Sequence, residues 1–486
     1  MFRLTAFRLI PPLDTYPKVV DLAQKPLGKI LLLTVFAAGL SCRTDSWQPL
    51  VAFLTAMTFL PQFRPILLTI ATFASLALAG WPNVGVPWSI PQPHYASVFL
   101  SQPLIVAAVL GFFAAYYTAV RKNKDGWYAK RPIRNLLVFY LLLLMAAPHL
   151  PLSGPPAVYL WAFLAGLGKY LWFFNYTLLD RHAKETPPLA LQAGYYFPFW
   201  GGSTTPFPKG AAYLRKIEAK TPEQLAVSQL KGLKLLSWAL LLGLVERVLG
   251  QIFYGKAEAG QAFLGISLSL GLPSLNEVLQ AGSGPPYPWH MNWLALVANF
   301  FVRLLWFSVW GHVIIACCRM AGYNALRNTY RPLQSASIAD FWNRFYYYFK
   351  ELLVDNFFYP AFLRYFKKRP KVRLFFATLA AAGFGNVLFH FLRDIGAIAD
   401  QGFWPALWSF RVYLFYGLVL GAAIGISQLY ETKRTKDRSW FRNNIVTPVY
   451  VVGFYCLLSI FDSPGSTLTL TEHFIFLLKL FNIHLS

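Results

Sequence analysis

The stretch Leu374-Phe-Phe-Ala-Thr-Leu-Ala-Ala-Ala-Gly-Phe-Gly-Asn-Val-Leu-Phe-His390-Phe-Leu392 is long enough to cross a bilayer, and its one ionisable side chain is His390. An imidazole in that setting is costly, so it faces the protein interior or a water-filled cavity and marks a functional site by default. The rest of the chain has the same character. Of 486 residues, 56% are hydrophobic and 13% charged, with a mean hydropathy of +0.44. A soluble protein has no use for that much apolar surface, whereas a membrane protein does. The 43 Phe, 26 Tyr and 16 Trp fit aromatic belts at both membrane interfaces.

Length alone would allow several soluble domains. The apolar segments follow one another too closely for that, from 29–41 to 470–484, so residues 1–486 read as a single all-α membrane domain. Several segments are shorter than the ~20 residues of a perpendicular span, which implies broken, re-entrant or paired half-helices. The expectation is a polytopic integral membrane protein with about eleven transmembrane helices, give or take about two, plus interfacial helices.

The net charge of +24 comes from 44 basic and 20 acidic residues. The basic residues sit in short loops between apolar runs, which is the positive-inside pattern and points away from nucleic acid. The loops Arg121–Arg131, Lys209–Lys220, Arg364–Arg373 and Lys433–Arg442 are thereby assigned to the cytoplasm, with attraction to anionic lipid headgroups. Residues 1–28, with Arg3, Arg8, Lys18 and Lys25 among apolar residues, read as an interfacial segment, and no cleaved signal peptide is expected. Thr221-Pro-Glu-Gln224 has the pattern of a helix start, Thr221 capping and Gln224 completing a capping box. Cys42, Cys317, Cys318 and Cys456 show neither metal-ligand spacing nor a disulfide framework. With Arg373 on the cytoplasmic side, a straight helix would carry His390 roughly 24 Å towards the opposite leaflet, although Gly383 and Gly385 argue against straightness.

A collinear set of motifs surrounds the histidine. Trp306-Phe-Ser-Val-Trp-Gly-His312 lies in a long apolar helix that runs on through Arg319 to Gly322-Tyr323. Asn328-Thr-Tyr-Arg-Pro332 follows, then Ser337-Ile338-Ala-Asp340-Phe341-Trp342-Asn343-Arg344-Phe345-Tyr346, and finally Asn386-Val-Leu-Phe-His390. Upstream lie Phe199-Trp-Gly-Gly-Ser-Thr-Thr-Pro206 and the segment from Thr221 to Lys234. In order, spacing and residue type, residues 190–430 resemble the core of the membrane-bound O-acyltransferase (MBOAT) family. The branch they resemble comprises bacterial alginate O-acetylases and teichoic-acid D-alanyl transferases. The family's Trp-His pair falls on Phe345-Tyr346, its Asp on His312, and the glycine of its Ser-Gly-Leu-Trp-His element on Val387. His390 is retained.

The resemblance implies an enzyme of the bacterial cytoplasmic membrane. It would move an acyl or acetyl group from a cytoplasmic thioester, acyl-CoA or an acyl-carrier protein, to a hydroxyl of an exported glycan or lipid. It further implies the thioester as co-substrate without a bound cofactor or metal, and membrane lipids and proteins of an export or modification complex as partners. His390 would be the general base, a role suited to an imidazole that titrates near working pH. Tyr346 stands at the second catalytic position, where its phenol can donate one hydrogen bond. His312, Asn343 and Asn386 are auxiliary candidates, and Arg344 could balance a phosphate of the donor or of an anionic lipid. Each has a plainer reading. Arg344 is spaced to pair with Asp340 on one helix face, Tyr346 belongs to an aromatic stripe, and His312 suits a packing hydrogen bond. Loss of the Trp-His pair also fits a catalytically inactive MBOAT-like scaffold or lipid-binding subunit. A transporter of broken helices is a third reading, without an inverted repeat to support it.

Overall fold

The computed structural model describes residues 9–78, 93–123, 125–183, 187–196, 198–201, 205–255, 268–281, 287–393, 395–430, 441–464 and 466–483. Among these residues the secondary structure is helical, apart from one isolated bridge between Glu218 and Tyr323. Among the described residues eight helices are long and apolar enough to cross a membrane, and a bent pair brings the number to nine. The protein is thus an all-α membrane protein. The cytoplasmic loop expected at 433–442 lies outside the described residues up to position 440.

The chain divides into two compact units. The first comprises Met1–Leu235, Ile314–Leu326 and Leu388–Trp408. Its inner element is the helix Pro155–Leu179, launched by Pro155 and Pro156 in the first turn, where proline lacks only a hydrogen bond that the turn cannot make. Its span is 78% buried, against 28–50% for the other seven, so this helix is a protein core rather than a lipid-facing wall. At Gly168 a Cβ would come within 2.2 Å of the Tyr140 hydroxyl and 2.5 Å of the Leu392 carbonyl, so only glycine admits both neighbours. The outer helix Pro26–Ser41 leaves Leu27, Ile30, Leu31 and Val35 exposed, an apolar face suited to lipid.

The expected half-helices occur in this unit. Trp47–Phe59 and Pro61–Ser75 are bent by 110°, a broken span or re-entrant loop whose elbow contains Pro61 and Pro65. Arg64 at the elbow is 1% exposed. Its Nε donates to the Met57 carbonyl at 3.4 Å and its Nη1 to the Ala219 carbonyl at 2.8 Å, with Glu218 at 3.6 Å. Gly322, at φ +97°, would place a Cβ 2.8 Å from the guanidinium carbon. Gln229 adds a second tie, donating to Thr58 Oγ1 at 2.8 Å and the Met320 carbonyl at 3.1 Å. Thr221 caps the next helix as expected, accepting from the Gln224 amide at 3.2 Å. Gln224 Oε1 accepts from the Lys220 amide rather than from Thr221, so the box closes one residue early. Of the segment 1–28, Pro17–Gln24 forms a helix that buries Val20 and Ala23 and exposes Leu22, while Arg3 and Arg8 lie outside the described residues.

The second unit comprises Leu236–Val313, Arg327–Val387 and Ser409–Ser486. Its seam joins the helix Arg411–Tyr430 to the segment Leu379–Gly385, which is π-helical. Gly417, Gly421 and Gly425 recur every fourth residue, the spacing that lets membrane helices approach backbone to backbone. A Cβ on Gly421 would meet the Gly383 amide at 2.9 Å, one on Gly417 the Val387 side chain at 2.7 Å, and one on Gly425 the Phe375 ring at 2.7 Å. This order is antiparallel. It puts the basic cluster Arg364–Arg373 at the same end of the unit as Tyr430 and Arg442.

Two substitutions test the packing. Gly421→Leu should destabilise the detergent-purified protein by about 1–3 kcal/mol, read as a lower melting temperature. Gly453→Ala, inside the helix Thr447–Leu458 with nothing within 4 Å of the added carbon, should not lower stability and should raise it by up to about 1 kcal/mol. A pH titration tests the elbow. Burial raises the Glu218 carboxyl above its ordinary range, only partly offset by Arg64. An acid with a raised folded pKa holds its proton more tightly when folded. The cost of its charge is therefore full above the folded pKa and vanishes below the unfolded one. Stability should rise as pH falls from neutral to about 5, and Glu218→Gln should flatten that rise.

Candidate functional site

His390 belongs to the first unit. It lies on the helix Asn386–Arg393, which continues from the π-helical turns 379–385 within the span Pro370–Arg393. The side chain is half-buried and its Nδ1 is shielded from solvent. Neighbours on its own helix anchor this turn to the core helix Pro155–Leu179 and to the helix Pro132–Ala146. Phe389 packs on Trp172 with ring centroids 5.6 Å apart, the Arg393 guanidinium lies 5.8 Å over the Phe389 ring, and the Leu392 carbonyl faces the Tyr140 hydroxyl at 3.4 Å.

The core helix brings polar groups that sequence reasoning passed over. Lys169 is 8% exposed and Asn175 fully buried within the span. Neither amide atom of Asn175 has a hydrogen-bond partner among the described residues. Gly168, Trp172 and Asn175 follow at i, i+4 and i+7, which sets Asn175 on the face that holds the Phe389–Leu392 turn. A buried, unpaired amide costs about 1–3 kcal/mol, so its retention calls for a reason. The signal was available, because Lys169 is an ionisable residue inside an apolar span just as His390 is.

The other sequence candidates lie in the second unit. The helix Ile338–Phe345 is capped by Ser337, whose hydroxyl accepts from the Asp340 amide at 3.0 Å. It breaks at Tyr346 and resumes at Tyr347. Asn328 holds the break: its carbonyl accepts from the Tyr347 amide at 2.9 Å and its Oδ1 from the Tyr348 amide at 3.2 Å. Thr329 and Tyr330 extend the tie to the Phe345 and Arg344 carbonyls. The Tyr346 ring packs between Phe307 at 5.8 Å and Phe349 at 5.6 Å, in keeping with the aromatic stripe. Arg344 Nε donates to Asp340 Oδ1 at 2.7 Å, the helix-surface pair that its spacing permits.

Asn343 is exposed and lines a cavity of about 150 Å³ with Lys350, Thr378 and Gln428. Tyr346 and Arg344 are not in its wall. His312 is 6% exposed on the helix Trp289–Met320, beside Gly311, whose missing Cβ makes room for Asn328. Asn386 is 1% exposed, and its Oδ1 accepts from the Tyr413 hydroxyl at 3.2 Å, so that oxygen has a partner other than the histidine.

Two more features of this unit escaped the sequence. Arg303, inside an apolar helix, pairs with Asp462 at 2.9 Å beside a cavity of about 80 Å³ that Tyr416 and Tyr455 also line. His473, which reads as a residue near the chain end, is fully buried instead; its ring stacks on Phe461 and its Nδ1 lies 2.8 Å from the Thr469 carbonyl. Cys317 and Cys318 are buried, as small apolar residues are expected to be, and Cys42 is exposed. Among the described residues no group of three or more His, Cys, Asp or Glu side chains could hold a metal.

The two sides of the helix break are separable by mutation. Asn328→Ala should cost about 1–3 kcal/mol of stability, because it leaves the Tyr348 amide unpaired in the interior. Tyr346→Ala should cost a few kcal/mol (about 3–5) through lost ring packing, while Tyr346→Phe retains most of it. Thermal unfolding of the three purified variants reads these differences.

No protein-family model matches the chain, and no curated protein matches it either.

Proposed function

We propose that this chain is a membrane O-acyltransferase of the MBOAT type, with His390 as general base. The observation that carries the proposal is the setting of the histidine. A half-buried imidazole stands on a membrane helix whose turn is clamped to a core helix bearing the buried amide of Asn175, which has no hydrogen-bond partner among the described residues. A membrane protein keeps such groups where a polar reactant visits them.

In the proposed reaction an acceptor hydroxyl gives its proton to the unprotonated ring nitrogen of His390 as its oxygen attacks the thioester carbonyl. The tetrahedral oxyanion collapses, the carbon–sulfur bond breaks, and the thiolate recovers the proton from the imidazolium. The products are an ester and a free thiol. Asn175 can donate to the developing oxyanion or hold the acceptor. The donor approaches from the side of the basic loops, and the acceptor is a hydroxyl of an exported glycan or lipid. The bacterial cytoplasmic membrane is the proposed location.

A second reading has support of its own. The Tyr346 ring is packed among Phe307 and Phe349, and Arg344 is engaged by Asp340, so the segment resembling the family's catalytic loop is held by structural contacts. Those contacts favour an inactive scaffold or lipid-binding subunit of the same fold.

Transfer of a radiolabelled acyl group by the purified protein separates the two. His390→Ala should lower the rate by about 10²–10⁴-fold with an unchanged melting temperature. Asn175→Leu should lower the rate while leaving stability equal or higher, since an apolar isostere removes an unpaired amide. Thioester turnover that survives His390→Ala at the wild-type rate would remove the histidine from the chemistry.

A further inference from the structure

A groove of about 580 Å³ opens in the second unit between the start of the helix Ile338–Phe345, the last turns of Arg411–Tyr430 and the first turns of the span Arg442–Phe461. Its lining is amphipathic along one direction. Ile426, Val451 and Phe454 supply an apolar wall, while Arg442, Ser427 and Tyr430 stand where the helices end. Arg442 is exposed, and no carboxylate of the described residues pairs with it. Tyr430 is 82% and Tyr450 66% exposed, the placement of aromatic side chains at the level of lipid headgroups. The antiparallel glycine seam puts this end of the unit together with the basic cluster Arg364–Arg373.

We infer that this groove holds one anionic glycerophospholipid of the cytoplasmic leaflet. Its phosphodiester would sit on the Arg442 guanidinium, whose planar fork matches two phosphate oxygens. The Ser427 hydroxyl, which accepts from the Ala339 amide at 3.4 Å, keeps its proton to donate to the headgroup. One acyl chain lies along Ile426 and Phe454, both of which face the groove. Charge complementarity selects the occupant: a zwitterionic lipid would present its own cation to the end of the unit that is already rich in arginine and lysine. The inference does not depend on acyl transfer and holds for an inactive scaffold as well.

Native mass spectrometry of the detergent-purified, full-length protein tests it, with equimolar phosphatidylglycerol and phosphatidylcholine of the same chain composition. Wild type should retain phosphatidylglycerol in preference, and Arg442→Gln should lower that retention about fivefold. Ile426→Trp, which fills the apolar wall and keeps the charge, should lower it too. Each variant is checked by its melting temperature. Equal retention of the two lipids by wild type would overturn the proposal, as would undiminished phosphatidylglycerol binding by Arg442→Gln. Glycerol 3-phosphate carries the phosphoester without the chains and should not displace the lipid. Displacement by it would assign the groove to a free phosphoester, and displacement by acyl-coenzyme A would assign it to a thioester donor; either result overturns the lipid assignment.

Discussion

Arg64 sits at the elbow of a helix pair bent by 110°, and its guanidinium must find its partners within the protein. A buried elbow is shut off from water, so irregular backbone survives there only where side chains and other backbone groups take over the lost hydrogen bonds. Arg64 does this from both sides. It caps the Met57 carbonyl left open by the break and ties the elbow to the Ala219 carbonyl. Gln229 repeats the device one step away with Thr58 and Met320. The turn at Gly322 follows from the same constraint, since any side chain there would displace the guanidinium. The elbow is thus tied to Ala219, Gln229 and Met320, which are far from it in sequence.

The second unit solves a different problem, close approach of apolar helices in a solvent as apolar as they are. Without a hydrophobic drive, association depends on packing, and the glycines of Arg411–Tyr430 allow backbone to meet backbone. The partner segment widens into π turns at 379–385, which turns the residues that follow about the helix axis. His390 and Asn386 follow directly.

Polar residues in the two units sort into those with structural work and those without. Arg344 has Asp340, Asn386 has Tyr413, Arg303 has Asp462, and Asn328 holds a helix break. Asn175 has no such partner among the described residues, and it lies on the core helix that clamps the His390 turn. That contrast, more than any one motif, concentrates interest on the first unit. It also moves attention from Tyr346, whose ring has ordinary aromatic neighbours, to a residue that no motif singles out.

Membrane class, helical composition and the oddity of His390 were legible in the sequence. Hydropathy and charge are local sums, and a bilayer reads them segment by segment. The i, i+4 pair of Asp340 and Arg344 was legible for the same reason, being a property of one helix. The glycine spacing at 417, 421 and 425 was present in the chain as well, but which backbone it meets was not. Partners of buried polar groups were out of reach: Arg64 and Ala219 are 155 positions apart, Arg303 and Asp462 159. No local pattern encodes such pairs. Whether a buried amide is paired, as Asn386 is and Asn175 is not, depends on which distant residues the fold brings beside it, and only the tertiary structure decides that.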